Sequence, residues 1–202
     1  MSRTLEAWLS PDYERAAPDS PTRLRQIADD RAVDVALAAC LIALAPVAVL
    51  AGAVWGLMAG TALPFALLTV SGIALGGIGI LCLRRARRRL PRERSRIVRG
   101  TGSAREGVIV FLVLFGASLI PLVLGGEALV ERVPGGLLSL IGLGTVYALL
   151  LAAVFIVPGA VLARARDSFR TAAEKNPQYR ALLEQDRLTW HPRHGDMMYG
   201  PL

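Results

Sequence analysis

RRARRRLPRERSRIVRG, residues 84–100, holds nine arginines against the single Glu93, a net charge of +8 in a chain whose total is +7. On either side of it the sequence is emptied of charge. No Asp, Glu, Lys or Arg falls between Asp34 and Arg84, between Glu106 and Glu127, or between Arg132 and Arg164. A helix needs about 20 apolar residues to cross the hydrocarbon of a bilayer. The first uncharged stretch is long enough for two such helices, parted at Gly60-Thr61-Ala62-Leu63-Pro64, where glycine and proline mark a turn. Each later stretch holds one. The expectation is an all-α polytopic membrane protein with four transmembrane helices in two hairpins, at about 33–56, 63–83, 107–125 and 136–163.

Composition agrees: 53% of the 202 residues are hydrophobic and the mean hydropathy is +0.47, outside the usual range of a soluble domain. The first apolar run begins after some thirty residues and exceeds the h-region of a signal peptide, so it reads as a span. Arginine and lysine then set the orientation. Arg3, Arg15, Arg23, Arg25 and Arg31, the central loop, and the tail from Arg164 through Lys175 all fall on one side. Only Arg132 falls on the other. By the positive-inside rule both termini and the central loop are cytoplasmic, and the turns at 56–63 and 126–135 face outward. Sparse lysine beside abundant Ala and Gly suggests a bacterial source, hence the cytoplasmic (inner) membrane. The expected segments are a cytoplasmic start at 1–32, hairpins at 33–83 and 107–163, the arginine loop at 84–106, and a cytoplasmic tail at 164–202.

The hairpins resemble weak parallel copies of each other, with Arg31 leading to Pro46 and Arg105 leading to Pro121 at nearly equal spacing. Short cytoplasmic or interfacial helices are expected at both ends. Ser20-Pro21 reads as an N-cap and first helical residue, and so does Asn176-Pro177. Leu5, Trp8 and Leu9 form a small apolar face suited to a membrane surface or to a frayed end. Tyr179, Leu182, Leu183 and Asp186 share one face of a tail helix. The polar, turn-rich 190–202 stretch is not expected to be ordered by itself.

Chemistry-bearing patterns are few. The basic run sets topology, and Arg84, Arg85, Arg87, Arg88, Arg89 and Arg92 are candidates for contact with anionic lipid or an acidic partner. No aromatic residue is interleaved for stacking bases, so nucleic acid is not an expected partner. Gly52, Gly56 and Gly60, and then Gly72 and Gly76, recur every fourth residue and mark helix-packing faces, either within the unit or toward another membrane subunit. Pro46, Pro121 and Pro158 fall inside spans and bend or shape them. Apart from Asp34 at a boundary, no Asp, Glu, His, Lys or Arg lies in the predicted interior, which argues against a proton relay or intramembrane hydrolysis. Thr69, Ser71, Ser118, Ser139, Thr145 and Tyr147 are the polar groups left there. His191, His194 and Asp196 make a weak metal-ligand pattern broken by Pro192, so no metal or other cofactor is expected. Cys40 and Cys82 read as small packing residues.

Residues 31–38, RAVDVALA, followed by Leu44-Ala45-Pro46-Val47, are similar to the membrane-anchoring helix of bacterial phosphoglycosyl transferases of the sugar-transferase type. That family continues into a cytoplasmic catalytic domain with an Asp-Glu pair. Here a second apolar run and the arginine loop follow, so the resemblance implies a shared way of entering the membrane and no activity. The reading of the sequence is a non-catalytic integral membrane subunit or assembly scaffold of a larger complex, with lipid and other membrane subunits or itself as partners. The alternative is an oligomeric transporter or pore for a small or apolar solute.

Overall fold

In the computed structural model, residues 4–10, 22–91, 104–190 and 198–202 are described. Ser20, Pro21, Arg92, His191, His194 and Asp196 lie outside them. Among the described residues the fold is all-helical, and the one bridge between extended segments joins Thr22 to Met198. The helices are α1 (Leu5–Leu9), α2 (Arg23–Ala59), α3 (Leu63–Arg88), α4 (Ala104–Arg132), α5 (Gly136–Leu151), a π-turn at Ala152–Ile156, α6 (Val157–Ala163), α7 (Ala165–Lys175) and α8 (Pro177–Thr189). Three helical runs are long and apolar enough to cross a membrane: Arg23–Ala59, Leu63–Arg88 and Gly136–Ala163.

The chain divides into two compact units. The first gathers Met1–Val35, Leu83–Val98 and Arg164–Leu202, and the second Ala36–Cys82 and Arg99–Ala163. At 37 residues α2 is about 55 Å long, well beyond the roughly 30 Å of a hydrocarbon core. Its first turns can therefore serve the first unit while its uncharged remainder belongs to the second.

Within the second unit, α2 and α3 approach closely because glycines remove side chains where their backbones meet. A Cβ added to Gly72 would stand 2.7 Å from the Ala45 carbonyl oxygen, one on Gly52 would stand 2.9 Å from Leu68 Cβ, and one on Gly79 would stand 2.8 Å from Ile42 Cγ1 and 3.0 Å from the Ala38 oxygen. Gly56 and Gly76 have looser surroundings, at 3.1 Å from the Thr61 oxygen and 3.2 Å from Ala45 Cβ. Gly60 is different. It meets no neighbour and adopts φ +65°, so it reverses the chain at the end of α2 in place of packing a helix face.

The turn after α4 is shorter than the sequence implied. Gly125-Gly126 does not end α4, which continues to Arg132, and the break falls at Val133-Pro134-Gly135. There proline and the left-handed Gly135 (φ +83°) and Gly136 (φ +57°) interrupt the backbone, whereas 127–132 are residues that a helix accommodates. Pro46 leaves α2 continuous. Near Pro158, the Val157 N–H reaches back five residues to the Ala152 carbonyl. The resulting π-turn precedes a proline that has no N–H to return. Gly107 of α4 fits against this turn, where a Cβ would collide with the Phe155 carbonyl.

Hydroxyls in the apolar helices bond to their own helix: Ser71 Oγ donates to the Leu67 carbonyl at 2.9 Å, Ser118 Oγ to Phe115 at 2.6 Å and Thr145 Oγ1 to Ile141 at 2.8 Å. Thr69 Oγ1 is buried without a partner.

These contacts separate two kinds of glycine. Gly72→Ala is expected to lower stability by about 1–3 kcal/mol through overpacking. Gly77→Ala, with nothing within 4 Å of the added carbon, is expected to be neutral or to stabilise by up to about 1 kcal/mol through helix propensity. Thermal unfolding of both variants in one detergent checks the contrast.

Candidate functional site

The first unit is built around the amino-terminal end of α2. The opening N–H groups of a helix lack intrahelical partners. Here Thr22 Oγ1 accepts from the Arg25 N–H at 3.3 Å, as an N-cap does. The Arg23 and Leu24 N–H groups donate to the carbonyls of Met198 and Tyr199, each at 2.9 Å. The returning segment is held further by Thr22 Oγ1 donating to the Pro201 carbonyl, by Arg25 Nη2 donating to the Leu202 oxygen at 3.3 Å, and by the Leu202 N–H donating to the Trp8 carbonyl at 3.0 Å. Residues 5–9, 22–25 and 198–202 thus close on one another.

Beneath them lies a core of Leu5, Leu24, Ile27, Phe169, Leu183 and Leu202, each at most 2% exposed. Tyr199 stands between Trp8 and Trp190, with ring centroids at 5.7 and 5.8 Å. Its hydroxyl donates to the Leu183 carbonyl at 2.8 Å, and burial above all pushes its pKa up. The α1 face is therefore turned inward to a protein core, a place that its short sequence did not distinguish from a membrane surface. At the start of α8, the Asn176 side chain accepts from the Gln178 and Tyr179 N–H groups and Pro177 occupies the first turn, as that pair predicts. Tyr179 and Leu183 on its inner face are 1% and 0% exposed. Of the ion pairs, Arg23–Asp186 at 3.6 Å is largely shielded, while Arg180–Glu6 at 2.6 Å is exposed and contributes little.

Arg31 is the group in this unit with the least ordinary surroundings. It is 7% exposed. Its Nη1 donates to the Ser168 carbonyl of α7 at 3.2 Å, its guanidinium carbon lies 5.1 Å from the centre of the Tyr179 ring, and its Nε has no hydrogen-bond partner. Burial is the main cause that lowers its pKa. The Tyr179 hydroxyl opposes that, and the Arg87 charge adds to it. The Tyr179 hydroxyl is itself buried without a partner.

Of the basic residues singled out in the sequence, Arg85, Arg87 and Arg88 lie in the last turn of α3, with Arg84 just before it and Arg89 just after, all exposed, while Ala86 between them is buried. Leu90 packs against the core of the first unit. Cys40 and Cys82 are free and half-buried. Among the described residues no group of His, Cys, Asp and Glu is arranged to hold a metal. In the second unit a shallow apolar groove of about 480 Å³ lies at the α2–α3 turn, lined by Ala53, Gly56, Leu57, Thr61 and Phe65. It presents almost no polar group with which to orient a solute.

Sequence reasoning did not anticipate the closure of residues 198–202 on α2, nor the burial of Arg31. A usable signal was present in the aromatic residues: Trp8, Tyr179, Trp190 and Tyr199 are concentrated in the charged ends of the chain, where a disordered tail would have few.

The Tyr179 hydroxyl gives a pH prediction. Burial pushes its pKa from 10.0 up to about 12, against the smaller pull of Arg31. A raised folded-state pKa means that the neutral phenol contributes stability fully below pH 10, and that this contribution is lost as the pH rises through about 12. Thermal midpoints are expected to fall across that window. In Tyr179→Phe the fall should shift to higher pH, and at neutral pH the variant should be as stable or up to about 1 kcal/mol more so, because an unsatisfied buried hydroxyl is gone.

Set against protein-family models, characterised proteins and solved structures, the chain matches none.

Proposed function

We propose that this chain is a four-span protein of the bacterial cytoplasmic membrane with both termini cytoplasmic. In this reading it acts as a non-catalytic subunit or assembly scaffold of a larger membrane complex. The fourth span is α4, whose stretch between Glu106 and Glu127 carries no charge and whose first turns lie against the π-turn through Gly107. The basic turn of α3 and the arginines of the first unit support the cytoplasmic side for that unit.

One observation carries the scaffold reading, and it is a contrast among the glycines. Gly52, Gly72, Gly79, Gly107 and Gly142 are each filled by a neighbouring helix within the chain. Gly77, Gly116 and Gly144, on α3, α4 and α5, face nothing within 4 Å. In lipid, helices associate through close packing and interhelical polar contacts, so small residues left open on outer faces suit further helices. Another protein's helices, or those of a second copy, would find room there.

Extraction from native membranes in a mild detergent is expected to recover the chain with other chains or as a defined oligomer. Gly77→Leu and Gly144→Leu should release those partners without lowering the thermal midpoint. A clean monomer at every concentration, from native membranes and with the wild-type sequence, would overturn the reading. Single cysteines introduced at Thr61 and Pro134 should react with an impermeant thiol reagent from the outside, and one at Lys175 should not.

A further inference from the structure

The basic turn at the end of α3 carries more than a topological signal. Arg84, Arg85, Arg87, Arg88 and Arg89 are all exposed, and none is ion-paired with another described residue. Arg31 of α2 belongs to the same unit as this turn. It is buried, with its Nε unpartnered, and the Arg87 charge acts on it.

Neither partner of Arg31 brings a negative charge: one is the Ser168 carbonyl, the other the face of the Tyr179 ring. The carboxylates on the same turns of α2 are engaged elsewhere. Asp29 interacts with Arg166 and Arg25, and Asp30 and Asp34 have partners too. A desolvated guanidinium beside a second guanidinium, with no carboxylate of the described residues paired to either, is an arrangement that an anion would stabilise. A phosphate fits better than a carboxylate, because its oxygens can accept from several guanidinium groups at once.

We propose that the last turn of α3, with Arg87 at its centre and Arg31 behind it, binds a phosphate-bearing anion. Two sources share that chemistry: the phosphodiester of an anionic phospholipid and free phosphate. The position of the turn directly after the uncharged run that ends at Leu83 puts it at headgroup depth in the four-span reading. The pairing of Arg31 with Arg87 stands whether or not the chain is a scaffold.

The test titrates the purified chain, in a neutral detergent, with short-chain phosphatidylglycerol, with phosphatidylcholine of equal chain length, and with inorganic phosphate, and reads the thermal midpoint. Phosphatidylglycerol is expected to raise it and phosphatidylcholine is not. Arg87→Gln should leave the unliganded midpoint in place and weaken the apparent affinity about fivefold. Lys175→Gln, the same loss of charge on the exposed last turn of α7, should leave the affinity unchanged. Stabilisation by inorganic phosphate as strong as by phosphatidylglycerol, and equally sensitive to Arg87→Gln, would uphold the site and assign it to a soluble ligand. No stabilisation by either anion, equal stabilisation by the two lipids, or equal weakening by Arg87→Gln and Lys175→Gln would overturn the proposal.

Discussion

The first turn of α2 must find acceptors for N–H groups that no helix can satisfy internally, and the way it does so organises the first unit. Two of those groups are taken by the carbonyls of Met198 and Tyr199, and a third by Thr22 Oγ1. Once residues 198–202 are held there, Tyr199 and Leu202 reach the space between α1, α2, α7 and α8, and Trp8 closes over them. Individually these hydrogen bonds contribute on the order of 1 kcal/mol. Their larger effect is positional, because they place two large side chains of a short segment into an otherwise incomplete core.

The second unit obeys a different constraint. Its helices are apolar nearly all round, so burial of apolar surface does not distinguish one face from another in lipid. Shape does. Gly52, Gly72 and Gly79 let α2 and α3 approach backbone to side chain, and Gly107 does the same for α4 against the π-turn. Ser71, Ser118 and Thr145 bond along their own helices, so these hydroxyls do not tie one helix to another. The same chain therefore uses two rules of assembly: polar satisfaction with an aromatic core in the first unit, and small-residue contact in the second.

Arg31 lies in the first unit on α2, which like α3 contributes residues to both units. Its charge is held by a carbonyl, a ring face and little else, with Arg87 near by. Between Asp34 and Arg84 the chain carries no Asp, Glu, Lys or Arg, so the charged groups of α2 and α3 are confined to the ends of those helices that belong to the first unit. The unusual feature around Arg31 is an excess of positive charge without a matching carboxylate among the described residues.

Much of the helical organisation was legible in the sequence, because charge-free runs of sufficient length have few alternatives to a helix in lipid. The end of α4 was not, since Gly125-Gly126 reads as a break but Val133-Pro134-Gly135 is the one the backbone uses. Gly60 shared the four-residue spacing of Gly52 and Gly56, and spacing alone does not separate a packing glycine from one needed for a positive φ. Asn176-Pro177 was readable because a cap is a local device.

By itself the sequence determined the long apolar helices, the charge asymmetry and the cap of α8, each decided by residues close in the chain. Tertiary structure decided that residues 5–9, 22–25 and 198–202 meet, that Arg31 is buried without a carboxylate partner among the described residues, and which glycines are filled or left open. Those outcomes depend on which surfaces come together across well over a hundred residues, and neither composition nor periodicity carries that information.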